Sequence, residues 1–388
     1  LIDHRLLLGA SASISFFFWG MLGVSIGALL PNAMHTFALS PLLAGMVFVA
    51  WSLGFSAGSF AANRLLRIFG TVPVLACLSA LTALFALVQF ATTASGVFYI
   101  VYLLLGLCGG AIFTASHTLF GDLFTERRSS ALAILDVVFS LGNMAAPLYI
   151  LMVLHLQMSW QSFYLTISIG FAAVGGLFVL QLLGPLATGA RATAAMTGND
   201  RTSLALSELL FLGLASFSLG AIEWTQNVWF VAYALDVGLQ QDIARYGLTA
   251  FTAGMIASRI FVMAFASAAK FAWTQRSMLI AALLGELLVL FAGSAPLILV
   301  GNFVLGIGIG GLFPIFLGRA MDRNPTASAA LSMLMVVSLT VGGQVASFAL
   351  GAFADHFGVS AAFYVTLPVI ATMSVSSEVC RRLDSAST

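Results

Sequence analysis

The residues most able to do chemistry in this chain are the few charges set inside long apolar runs: Asp136, Glu223, Arg259 and Glu286. A charge at the centre of a bilayer costs roughly 2.5–3.5 kcal/mol or more, so it must be paired, wet or neutralised, and its default reading is functional. Glu223 lies in "LGAIEWTQNVWFVAYALD", residues 219–236, with Gln226 and Asn227 one helical turn on. Residues three and four apart share a helix face, so the three polar groups form a candidate solute site with Glu223 able to carry a proton. The competing role is a protonated Glu223 bonded to a neighbouring helix and fixing its rotation. Trp19, Trp224 and Trp229 offer flat faces for stacking on a sugar ring or another flat ligand, or they pack. His117 can exchange a proton near neutral pH or bond to backbone at a helix end. Asn143, Asn302 and Gln344 are isolated amides suited equally to a ligand contact or a bond between helices.

The elements that must position these groups follow from composition. The chain is 61% hydrophobic and 7% charged, against about 25% charged in soluble domains. Runs such as "VPVLACLSALTALFALVQFA" approach the roughly 20 residues needed to cross a bilayer as a helix. Breaks in apolar character predict twelve spans, near 9–34, 41–63, 71–92, 96–120, 129–154, 160–183, 203–235, 241–267, 276–293, 296–319, 326–352 and 359–379. The expected fold class is an all-α membrane protein of twelve transmembrane helices. It comprises a six-helix bundle over 1–183, a cytoplasmic linker over 184–202 and a second six-helix bundle over 203–388. With both termini cytoplasmic, 13 of the 15 Lys and Arg residues fall on the inner side, Arg245 and Arg259 being the exceptions. The positive-inside rule selects that orientation. The three cysteines have no metal or redox spacing.

The two halves repeat. Shifted by 200 residues, "LGLCGGAIF" (105–113) falls on "LGIGIGGLF" (305–313) and "SFYLT" (162–166) on "AFYVT" (362–366). Val137 and Gly142 fall on Val337 and Gly342, and Phe17 and Gly20 on Phe217 and Gly220. The two bundles are therefore expected to be pseudo-symmetric, as in transporters whose substrate site lies at mid-membrane between repeats. "GIGIGG" (306–311) is not a dinucleotide fingerprint, because no strand or βαβ unit frames it.

Two six-span halves joined by a loop resemble the major facilitator superfamily over the whole chain. "FFFWGMLGVSIGALLP" (16–31), "GGAIFTASHTLFGDL" (109–123), "GAIEWTQNVWFVAYAL" (220–235) and "ASRIF" (257–261) are similar to its fucose–galactose–glucose/H⁺ symporter branch. The resemblance implies that helix 7, with Glu223, lines a central cavity, and that helix 9, with Glu286, is peripheral. It also implies that helices 5 and 8 are neighbours. Asp136 and Arg259 lie at matching depths, about 10–12 Å from the inner boundary at 1.5 Å per residue, and are expected to form an ion pair that gates transport. There are departures from the family pattern. Asn63 stands where the loop after helix 2 usually has an Asp, Phe113 stands where the sugar branch has a Glu, and helix 1 has no acid.

The function expected is secondary active transport of a small polar solute, sugar-like or another polar metabolite, by alternating access and coupled to protons. The alternatives are a drug or metabolite efflux antiporter and a non-transporting sensor or assembly factor. Substrate contacts are assigned to Glu223, Gln226, Asn227, Trp19, Trp229, His117, Asn143, Gln344 and Asn302, and proton coupling or gating to Glu223, Asp136 and Arg259. No enzymatic activity, cofactor, metal or nucleic-acid partner is expected. The partners are the solute, protons and the lipid bilayer, for a monomer in a bacterial inner membrane.

Overall fold

The computed structural model describes residues 4–124, 128–183, 206–265, 271–323 and 328–386. Every element there is helical, as the bilayer demands of a spanning chain: with no water to bond, backbone N–H and C=O groups must satisfy each other along the segment. The first half contains α1 (His4–Phe37), α2 (Pro41–Phe69), α3 (Thr71–Ala91), α4 (Ser95–Leu123), α5 (Arg128–His155) and α6 (Ser162–Leu183). The second contains α7 (Leu206–Asp236), α8 (Gln241–Phe265), α9 (Phe271–Phe291), α10 (Ala295–Gly310), α11 (Leu312–Arg323), α12 (Ser328–Phe357), α13 (Val359–Phe363) and α14 (Thr366–Ala386).

Contacts divide the chain into two compact units, Leu1–Leu39 with Met46–Met196, and Ser40–Gly45 with Thr197–Thr388. The linker expected over 184–202 lies outside the described residues, as do Arg127, Arg191, Arg201 and Lys270. Among the described residues eleven helices are long and apolar enough to cross a membrane. The remaining long helix, α8, contains Asp242, Arg245 and Arg259. The tenth expected span is broken at Gly311 into α10 and α11. The eleventh runs five residues past its expected end, to Phe357, and the twelfth opens with the short α13.

The internal repeat reaches down to single backbone contacts. In the first unit, a Cβ on Gly20 would collide with the Phe139 carbonyl, and one on Gly142 with the Phe17 carbonyl, so α1 and α5 cross backbone to backbone. In the second unit, Gly220 meets the Leu339 carbonyl and Gly342 the Phe217 carbonyl, joining α7 to α12. Gly54 and Gly106 do the same for α2 and α4, with Gly254 and Gly306 as their counterparts on α8 and α10. Small residues at these crossings let dispersion act where lipid supplies no hydrophobic drive. α3 packs on α6, and α9 packs on α10 and α14.

The turns repeat too. Ala38 (φ 48°) and Gly238 (φ 89°) both end a helix in the left-handed region. Leu39 N donates to Met34 O at 3.0 Å, and Leu239 N donates to Ala234 O at 2.9 Å. Each is the six-to-one bond of a Schellman end.

Two outcomes test this packing. Gly342→Val drives a side chain into the Phe217 carbonyl and is expected to cost at least the roughly 1–3 kcal/mol of overpacking. Gly176→Ala meets nothing within 4 Å and should be neutral or stabilising by about 0.5–1 kcal/mol, the helix-propensity difference. Thermal unfolding of the purified variants in detergent checks both. Ala38→Gly should also raise the midpoint, because an alanine in the left-handed region is disfavoured by about 1–2 kcal/mol.

Candidate functional site

The polar groups of α7 point in two directions. Glu223 and Gln226 are three residues apart, so their side chains diverge by about 60° around a helix of 3.6 residues per turn. Glu223 is half-buried, and its Oε1 lies 3.6 Å from Nη2 of Arg259 on α8. Gln226 is fully buried and donates from Nε2 to Oε2 of Glu286 on α9 at 3.0 Å. Asn227, also buried, leaves its Oδ1 without a hydrogen-bond partner.

Arg259 is held from a second side. Its Nε donates to the Gly310 carbonyl at 3.3 Å. In an unbroken helix that carbonyl would accept from the residue four positions on, but here that residue is Pro314, which has no N–H. The guanidinium thus satisfies a carbonyl orphaned where α10 gives way to α11 and still reaches Glu223. The repeat sharpens the point. Ser59, the counterpart of Arg259, donates to the Gly110 carbonyl at 3.1 Å. There Thr114 stands in place of Pro314 and α4 continues unbroken. The second unit has kept the contact and changed its chemistry from a hydroxyl to a cation.

In the first unit, His117 and Asp136 come together. His117 Nε2 lies 3.4 Å from Asp136 Oδ1, and Nδ1 lies 2.9 Å from the Phe113 carbonyl. Both neighbours accept, so a doubly protonated imidazole is the form that satisfies both contacts. The ring sits against Phe113 and Phe16 at centroid distances of 4.2 and 5.3 Å. Asp136 is exposed. Within its own unit each of the two residues has a partner, Asp136 with His117 on α4 and Arg259 with Glu223 on α7.

The remaining site residues are chiefly packing groups. Trp19 is buried and stacks on Trp51 at 5.0 Å, filling the space over Gly109. Trp229 is fully buried, donates from Nε1 to the Ser347 carbonyl at 3.0 Å and lies against Gly351. Asn302 is fully buried and donates to the Gly247 carbonyl at 2.9 Å, with its Oδ1 unpartnered. Asn143 is half-buried on α5, and its Oδ1 is likewise unpartnered. Gln344 is half-buried on α12 beside Gly343, which Trp224 covers. Among the described residues no cluster of His, Cys, Asp or Glu suits a metal ion. Sequence reasoning missed Pro314 and Thr366. A proline inside an apolar span was the available signal for the first; for the second it was the repeat, in which Thr366 falls on Thr166.

Comparisons place this architecture among known proteins. The family model described as Major Facilitator Superfamily matches residues 8–333. The chain is 24% identical over 387 residues to the "Uncharacterized transporter y4wD" of Sinorhizobium fredii (strain NBRC 101917 / NGR234), covering 97% of this chain and 88% of that one. A crystal structure of a bacterial homolog of the human lysosomal transporter Spinster, inward-facing and unoccupied, superposes with a TM-score of 0.72 at 11% identity, covering 98% of this chain and 96% of that one. The nucleoside transporter NupG superposes with a TM-score of 0.71 at 13% identity, covering 98% and 99%. At these identities the solved structures share the fold.

The Pro314–Arg259 relation is testable by a double-mutant cycle. Arg259→Ala leaves the Gly310 carbonyl without its donor, a loss of about 1–3 kcal/mol, and also strands Glu223. In a Pro314→Ala background the helix can supply its own N–H, so the same change should cost measurably less. Equal shifts in unfolding midpoint in both backgrounds would show that the carbonyl plays no part.

Proposed function

The chain belongs to the Major Facilitator Superfamily, and from that premise we propose that it carries a small polar solute bound at the Glu223–Arg259 pair. The family membership makes it a multi-pass membrane transporter of a small solute. The observation that carries the finer reading is the half-buried ion pair itself, 3.6 Å apart on α7 and α8. Its side chains keep 22% and 28% of their surface exposed. A sealed structural pair would not need that access. A solute with hydroxyl, amide or zwitterionic groups can bond the carboxylate and the guanidinium together, replacing the water that otherwise solvates them. Trp224, the residue after Glu223, is also half-buried and lies over Gly343 of α12.

Proton coupling is assigned to His117 and Asp136. A proton taken by the imidazole completes both of its contacts, and its loss leaves one of the two ring nitrogens, without a hydrogen, facing an oxygen acceptor. Protonation therefore changes how firmly α4 is tied to α5, which is the kind of local charge event that biases a two-state transporter. The distribution of Lys and Arg supports cytoplasmic termini, and a bacterial inner membrane suits both that bias and the bacterial relative.

Two measurements test the reading. Glu223→Gln keeps size and hydrogen bonding but removes the charge. Uptake into proteoliposomes of whichever sugar, nucleoside, amino acid or organic acid stabilises the wild type in a thermal-shift screen should fall at least tenfold, the equivalent of about 1.4 kcal/mol. Unchanged uptake sinks the site. Asp136→Asn is expected to remove the response of uptake to an imposed pH gradient while leaving solute-induced stabilisation intact. A retained gradient response would move coupling elsewhere.

A further inference from the structure

Glu286, placed on a peripheral helix and outside the site by sequence reasoning, is fully buried. Its two oxygens are both engaged. Oε2 accepts from Gln226 Nε2 at 3.0 Å, and Oε1 meets the Thr366 hydroxyl at the start of α14. The same Thr366 Oγ1 lies 2.8 Å from the Phe363 carbonyl. Tyr233, two turns beyond Gln226 on the same face of α7, donates to the Val289 carbonyl at 2.9 Å and stacks on Phe363 at 4.3 Å, roofing the cluster. Among the described residues no Lys, Arg or His pairs with Glu286. On α9, Arg276 is ten residues away and is committed to Glu378 at 2.9 Å, which also binds Arg381 and Arg382 of α14.

The proton count decides the state of this carboxyl. A hydroxyl has one hydrogen, yet Thr366 Oγ1 faces two oxygens, those of Phe363 and Glu286. The peptide carbonyl can only accept. If Thr366 donates to Phe363, as a threonine three residues on readily does, the hydrogen in the other contact must come from Glu286. The chain of donors then closes: Glu286 to Thr366, Thr366 to Phe363, and Gln226 to the remaining carboxyl oxygen. An ionised carboxylate would instead sit in an apolar interior with no counter-charge, a state that proteins avoid by neutralising the group.

We propose that Glu286 is a resident proton-binding site, a neutral carboxylic acid that ties Gln226 of α7 to α9 and α14 and thereby sets the rotation of α7. The carboxyl is a positioning group. With Gln226 held towards α9, helical geometry turns Glu223, about 60° away, towards α8 and Arg259. Only this last consequence rests on the reading of Glu223 as a solute group; the proton does not.

Infrared spectroscopy of the purified protein at neutral pH tests the proton without any transport assay. The carbonyl stretch of a protonated carboxylic acid should be present in the wild type and lost in Glu286→Gln. Loss of carboxylate intensity instead would overturn the proposal. Should that variant fail to fold, Thr366→Val keeps the carboxyl and deletes one of its bonds. Its acid band must then move to higher frequency, and an unmoved band would count against the cluster. For the positioning role, Glu286→Ala should lower the unfolding midpoint by several degrees and Glu286→Gln should restore it, since a neutral amide can still bond Gln226 and Thr366. A glutamine variant as unstable as the alanine one would refute the neutral acid. If Glu223 proves not to bind solute, all three readouts still stand.

Discussion

Backbone-to-backbone contact at glycine is the interaction on which the rest of this structure depends. Inside a bilayer the helices gain nothing from hiding apolar surface from lipid, so they associate through close packing and bonds between polar groups. Gly20 and Gly142 bring α1 onto α5, and Gly220 and Gly342 bring α7 onto α12, each against a carbonyl where a Cβ would not fit. Larger residues at these crossings would hold the helices apart and misplace every polar side chain between them. The charged groups are few, so their positions are set by these crossings more than by their own attractions.

On this repeated frame, chemistry enters where the two halves differ. Gly23 in the first unit corresponds to Glu223 in the second, Ser59 to Arg259, and Thr114 to Pro314. The last two changes belong together: the proline removes a backbone donor and the arginine replaces it. A guanidinium suits this place because its fork of donors can serve the carbonyl and a carboxylate at once. The first unit departs in its own way, with His117 and Asp136 standing where the second has Leu317 and Val336. Neither of these ionisable pairs has a counterpart in the other unit.

Buried polar groups divide into those that close on themselves and those left with capacity to spare. Trp229 with the Ser347 carbonyl is of the first kind. Asn227 and Asn143 are of the second, each with a buried amide oxygen that has no partner. An unsatisfied buried acceptor is costly, so such positions are where a solute or an ordered water has most to gain.

The sequence by itself determined the class, the spans and the repeat. Apolar runs of bilayer length leave a chain no alternative to helices, and a constant offset of 200 residues survives because crossing glycines such as Gly20 and Gly220, or Gly142 and Gly342, stand under the same steric demand. What the sequence left open was side-chain pairing. Gln226 was grouped with Glu223 because residues three apart share a helix face, yet 60° of divergence sends one to α9 and the other to α8. Asp136 and Arg259 were matched by depth, a quantity that did not indicate the partner each has in its own unit. Trp19 and Trp229 offered either a ligand platform or a packing group, and both lie against glycines. Depth and periodicity are one-dimensional quantities, legible along a chain. Which of several helices a side chain faces is an azimuthal choice, decided only when the helices pack.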